Sequence, residues 1–151
     1  SSRLDYCNAL YGKLPKSLIE KLERVQRTAA RLITNTGKYD HITPTMISLH
    51  WLPICERIKF KILLLTYKAL HGLAPDYLSD LLEKRPDRGT RANQLDLLIS
   101  PRCKTGFGER AFHSLAPTLW NALPPQLRTA PSVECFKQRL KTYLFRQAYG
   151  L

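Results

Sequence analysis

Apolar residues along this chain recur mostly at helical spacing. Between Lys16 and Ile33, Leu18, Leu22, Val25, Ala29 and Leu32 fall four, three, four and three residues apart. That spacing lays them on one face of an α-helix. Pro15 suits the first turn, and Ser17 with Glu20 has the S-x-x-E form of a capping box. Asn35 and Gly37 end the segment. A second long helix is predicted from Ile54 to His71. Its stripe of Ile58, Ile62, Leu65 and Ala69 is widened by Phe60, Leu63, Leu64, Tyr67 and Leu70. A helix this apolar belongs in the middle of a core, and Gly72 is its C-cap signal. A third helix starts at a Ser132 cap and runs to about Ala148, with Val133, Phe136, Leu140 and Leu144 as its stripe.

Shorter elements fill the gaps. Ser2 to Leu10 reads as a helix opened by Ser2 and Asp5 and broken at Gly12 to Pro15. Thr43 as cap and Pro44 at the first position predict a short helix that His50-Trp51-Leu52-Pro53 closes. Pro75 opens another, through Leu82. Glu109 to Asn121 is helical, with Pro117 marking a kink or restart. It offers Phe112, Leu115, Leu119 and Trp120 to the core, and Pro124-Pro125 then breaks the chain. Leu95 to Ser100 reads as a short strand. Gly106 and Gly108 beyond Pro101 admit a small β-hairpin near residues 95–107. The expected fold is mainly α, an irregular bundle of about five to six helices. Both tryptophans, Trp51 and Trp120, are expected in the core, and His50 is expected as a hydrogen-bonded structural histidine.

The length fits one domain or one piece of a larger protein, and 44% hydrophobic residues are enough to form a core. The longest aliphatic run, Ile62 to Leu65, is far short of a membrane span. No membrane association is expected. The chain opens Ser-Ser-Arg-Leu-Asp, without a secretory h-region or an initiator methionine. A fragment or a processed chain is the expectation. Cys7, Cys55, Cys103 and Cys135 are dispersed. They read as reduced, small core residues rather than a disulfide framework or a zinc site.

Charge changes the picture most. Lys and Arg number 24 against 12 Asp and Glu, a formal net charge of +12. Such a standing field suits an anionic partner, nucleic acid or an anionic surface, against the alternative of charge kept for solubility. Lys21, Arg24, Arg27 and Arg31 fall at helical spacing opposite the predicted stripe, in a stretch with no acid from Arg24 to Tyr39. Arg57, Lys61 and Lys68 line a second strip. The polar connector 83–94 adds Lys84, Arg85, Arg88 and Arg91. Residues 84–151 hold twelve basic and four acidic side chains, against twelve and eight in residues 1–83. The candidate nucleic-acid contacts are therefore Lys21, Arg24, Arg27, Arg31, Arg57, Lys61, Lys84, Arg85, Arg88 and Arg91. Aromatic residues interleaved with them (Tyr39, Trp51, Phe107, Trp120, Tyr143, Tyr149) could stack on sugars or bases where exposed.

Catalytic signatures are missing. There is no phosphate-binding glycine motif, nucleophile elbow, H-E-x-x-H helix or paired aspartates for two-metal chemistry. His41, His50, His71 and His113 have no nucleophile pattern beside them. No enzyme activity and no cofactor is expected.

A run of strings resembles one family. Ser2-Arg3-Leu4-Asp5-Tyr6-Cys7-Asn8-Ala9-Leu10 is similar to a recurrent string in reverse transcriptases of LINE-type (non-LTR) retrotransposons of the vertebrate chicken-repeat group. In the same order follow Leu22-Glu23-Arg24-Val25-Gln26-Arg27-Thr28-Ala29-Ala30-Arg31-Leu32-Ile33, His50-Trp51-Leu52-Pro53, Ile58-Lys59-Phe60-Lys61-Ile62-Leu63-Leu64, and Lys68-Ala69-Leu70-His71-Gly72-Leu73-Ala74-Pro75-Asp76-Tyr77-Leu78. Arg110-Ala111-Phe112, Pro117-Thr118-Leu119-Trp120-Asn121-Ala122-Leu123-Pro124 and Phe136-Lys137-Gln138-Arg139-Leu140-Lys141 complete the series. The resemblance implies the thumb and post-thumb region, without palm or endonuclease. Residues 1–82 would form the thumb-like part, 83–94 a basic connector and 95–151 a C-terminal part. It implies contact with RNA, DNA or an RNA–DNA hybrid through phosphates, in the nucleus or cytoplasm. The alternative is an inert or protein-binding relic that self-associates through an exposed apolar face of the helix Lys16 to Ile33.

Overall fold

The helix with the broadest apolar surface is the one the others surround. The computed structural model describes residues 12, 14–86, 96–101, 105 and 108–151. Among these, seven α-helices and no strand form: α1 (Lys16–Thr34), α2 (Ile42–Ser48), α3 (Ile54–Leu70), α4 (Asp76–Ser79), α5 (Phe112–Asn121), α6 (Pro125–Arg128) and α7 (Val133–Tyr149). A 3₁₀ turn, Gly108–Arg110, precedes α5. The mainly helical class read from the sequence is the class observed.

Helix α3 buries Ile54, Ile58, Ile62, Leu63, Tyr67 and Ala69. Helices α1, α4, α5 and α7 all pack on it. Phe136, Leu140 and Leu144 of α7 are buried, as the predicted stripe requires. Tyr67 stacks on Phe136 with ring centroids 4.4 Å apart, and Trp120 tilts against both rings. Truncating such a residue costs about 3–5 kcal/mol, from lost transfer energy and the cavity left behind. The core draws on residues from both sides of the connector, Leu52 to Leu82 and Leu98 to Leu144.

Helix ends correct several expectations. Pro15 is the N-cap of α1, and its carbonyl accepts from Leu18 N at 3.0 Å and Ile19 N at 3.3 Å. Ser17 and Glu20 lie inside the helix and form no capping box, because the helix begins one residue before that box could close. The N-cap of α2 is His41, not Thr43, and it makes no side-chain cap bond. Ser132 does cap α7, its hydroxyl accepting from Cys135 N at 3.2 Å. Gly150 ends that helix at φ 70°, a left-handed conformation that costs glycine nothing. Helix α5 runs through Pro117. Pro124 and Pro125 do more than break the chain: they are the N-cap and first residue of α6.

The stretch expected as a strand makes one antiparallel bridge, Lys84 to Leu98. Arg85 N donates to Leu97 O at 2.9 Å, and Ile99 N to Glu83 O at 2.8 Å. Leu98 thus pairs backwards across the connector. Asn121 clamps its other edge, accepting from Leu98 N at 2.9 Å and donating to Leu98 O at 2.8 Å. The far arm of the expected hairpin, and the helix expected over Ser2 to Leu10, lie outside the described residues. Among the described residues no helix is long and apolar enough to cross a membrane.

Candidate nucleic-acid interface

The basic strip on α1 has to be placed relative to the face that helix buries. That face is not the predicted one. Gln26 and Ala30 are the buried residues of α1, with Ile19 and Leu22 partly buried against the core. Val25 is 58% exposed and Leu32 80% exposed. The seam is rotated by about one residue, roughly 100° around the helix. Two tertiary facts cause this. Ala30 is small enough for neighbouring helices to approach closely. Gln26, 3% exposed, donates through Nε2 to Leu52 O at 2.8 Å, which satisfies the buried amide.

The rotation leaves the four basic residues of α1 at the surface but gives them different tasks. Lys21 and Arg24 are exposed. Arg27 is paired with Glu23 at 2.7 Å, one turn away. Arg31 braces the helix C-terminus, donating to the carbonyls of Gly37 and Asp40, the latter at 2.9 Å. Lys84 sits 4.0 Å from Asp96, both largely exposed, and Arg85 is exposed. Arg88 and Arg91 lie outside the described residues. The strip is therefore not one uniform phosphate-binding face.

Cations converge elsewhere. Arg57 and Lys61 on α3, and Lys137 and Lys141 on α7, line one groove of about 470 Å³ with Trp51, Phe60, Val25 and Ala29. Each basic pair is spaced i, i+4, about 6 Å along its helix. Among the described residues no carboxylate lines the groove. Arg57 and Lys61 are among the contacts expected from the sequence; Lys137 and Lys141 are not. Nothing local in the sequence joins residues some 80 positions apart; the packing of α7 on α3 does.

Trp51 departs from its expected place. It is half-buried and lines the groove, whereas Trp120 is 1% exposed and lies in the core. The linker that carries Trp51 is held on three sides. Gln26 binds Leu52 O; Tyr149 Oη donates to Trp51 O at 2.6 Å; Trp51 N donates to Met46 O at 3.0 Å. His50 is the structural histidine expected, its Nδ1 3.0 Å from Ile47 O and its ring edge-on to Phe145. Its φ of 51° turns the chain from α2 into the linker.

Other hollows fit a polyanion less well. One of about 530 Å³ between α1, α3 and α5 is largely aliphatic but carries both signs, with Glu20, Glu23, Lys16 and Lys59 in its lining. Beside it Glu56 is buried and paired with Lys59 at 2.7 Å. Burial, and secondarily Glu56 and Glu23, push the Cys55 thiol above its ordinary value, so it is a poor nucleophile. Cys55 and Cys135 are free and half-buried; Cys7 and Cys103 lie outside the described residues. No cluster of potential metal ligands occurs among the described residues. Arg128, not singled out by the sequence, is buried, and its Nε and Nη1 have no hydrogen-bond partner among the described residues. Burial lowers its pKa, and Asp96 opposes the shift.

No family model, curated protein or solved structure matches the chain.

Proposed function

We propose that this chain is a non-catalytic nucleic-acid-binding module, the thumb and post-thumb portion of a LINE-type reverse transcriptase. The groove between α3 and α7 carries the binding half of this reading. It gathers Arg57, Lys61, Lys137 and Lys141 around partly exposed aromatic and aliphatic surface, with no lining carboxylate among the described residues. Lysine and arginine on such a surface bind phosphates with little regard to sequence. The formal charge of +12 supports the same reading. The ordered strings that resemble the retrotransposon enzymes support the family assignment, and a nuclear or cytoplasmic site follows from that resemblance alone. Polymerase chemistry belongs to a palm that has no counterpart in these strings.

Filter binding of RNA, DNA and hybrid duplex across a salt series tests the proposal. Log affinity falls linearly with log salt if phosphates are neutralised. Absence of affinity for all three at low salt rejects it.

A protein-binding reading rests on a different observation, the exposed Leu18, Val25, Leu32 and Ile33 of α1. Light scattering separates the two: a salt-independent oligomer with no nucleic-acid affinity favours the second.

A further inference from the structure

We infer that the groove between α3 and α7 takes unpaired bases, with Trp51 as the stacking platform, so that the protein prefers single-stranded nucleic acid to duplex. The inference rests on the nucleic-acid reading and deepens it.

Purely electrostatic recognition of a duplex needs only cations on an exposed surface, since the bases are turned inward. Here the cations border a recess. Trp51 and Phe60 line it together with Lys61, Lys137 and Lys141. Both aromatic residues are half-buried rather than enclosed, and both line the groove. A single strand can present phosphates to flanking lysines and turn its bases onto the aromatic surface between them. A duplex offers no free base face to fill that recess.

The backbone that carries Trp51 is also held in place. Its own carbonyl and that of Leu52 accept from Tyr149 and Gln26, and its amide donates to Met46. Loop aromatics without such anchoring lose ordering entropy on binding; Trp51 has less to lose. The positive φ at His50 and these three bonds together fix the backbone that carries Trp51 beside a basic rim. An acidic polypeptide would meet the same charges but would gain nothing from stacking on the aromatic rings.

The test uses the full chain and its own fluorescence. Trp120 is buried, so quenching by added ligand reports Trp51. An oligothymidine of roughly twelve nucleotides is titrated at low salt, beside a duplex of equal length and polyglutamate. The expected result is quenching by oligothymidine, little by duplex or polyglutamate, and tighter binding of the single strand. Trp51→Ala then weakens oligothymidine binding by roughly five- to a hundred-fold, and Trp51→Phe restores part of it. Equal affinity for strand and duplex without quenching overturns the stacking inference but leaves phosphate binding standing. Equal quenching by polyglutamate also overturns it. Failure to bind either nucleic acid rejects the parent reading as well. The wild-type quenching needs no variant to fold, so the inference stays open to refutation if Trp51→Ala proves unstable.

Discussion

The side-chain amide of Gln26 donates to the carbonyl of Leu52 at 2.8 Å, inside the protein and across 26 residues of sequence. This bond joins α1 to the linker that carries Trp51. It also explains why a polar residue occupies the buried seam of α1. Gln26→Leu removes the donor and leaves the Leu52 carbonyl buried and unsatisfied. Chemical denaturation should report a loss of about 1–3 kcal/mol. A variant as stable as the parent contradicts the role assigned to the bond.

The rotation of α1 makes opposite predictions at neighbouring positions. Leu32→Ser should change stability by no more than about 0.5 kcal/mol, because Leu32 is mostly exposed. Ala30→Leu should cost about 1–3 kcal/mol by overpacking a residue with no exposure. Had the stripe predicted from spacing been the buried one, the first change would be the damaging one. Thermal melts of the two variants decide between the faces.

Basic residues should divide into two groups when replaced by Gln. The triple change of Lys61, Lys137 and Lys141 should reduce the single-strand salt slope by about 2, near 0.7 for each phosphate no longer neutralised. Its melting temperature should hardly move, since all three side chains are exposed. Arg31→Gln should behave in the reverse manner. It removes the brace on Gly37 and Asp40 and lowers stability, with a smaller effect on affinity. Equal effects of both variants on the slope would return the binding face to α1.

Ser132→Ala tests the side-chain cap that the sequence located at the start of α7. The hydroxyl satisfies Cys135 N at the start of α7, the helix that carries Lys137 and Lys141. Its loss should cost about 1 kcal/mol. Urea denaturation followed by circular dichroism is sufficient to read it.

Alkaline pH should destabilise the protein. Burial first, then Cys135 and Glu134, raises the Tyr67 hydroxyl above its ordinary value of 10.0. Burial, Cys55 and Glu23 do the same for Tyr149, and burial with Glu56 and Glu23 raises Cys55 above 9.0. These groups keep their protons in the folded state where the unfolded chain would release them. Their contribution is therefore whole below about pH 9 and is lost as pH rises further. Tyr67→Phe loses the bond to Ala130 O at 2.8 Å and is less stable at neutral pH, but its alkaline decline should be shallower. Denaturation midpoints from about pH 7 to 11 measure both; an identical slope would contradict the Tyr67 assignment.

Much of the fold was written in local pattern. The α3 stripe needed only its own density of apolar residues to become central. Phe136, Leu140 and Leu144 found the core at the spacing they show in the sequence. Ser132 marks the start of its helix because capping is chemistry between near neighbours. Patterns failed where a distant partner outweighed local preference. Gln26 is polar and would be sent to solvent by any periodicity, but Leu52 O supplies its acceptor. Leu98 reads as half of a local hairpin, yet its partners are Lys84 and Asn121.

The candidate site shows the same division. By itself the sequence determined that the protein is basic, mainly helical and without a recognisable catalytic motif. It determined that Arg57 and Lys61 share a helix face, because one turn of helix fixes their spacing. Only the tertiary structure decided which cations act together. Packing of α7 on α3 brings Lys137 and Lys141 to the groove, and the Gln26 and Tyr149 bonds hold the Trp51 linker beside them. Charge is a property of composition, but a binding surface depends on distances between side chains, and those are set when the helices pack.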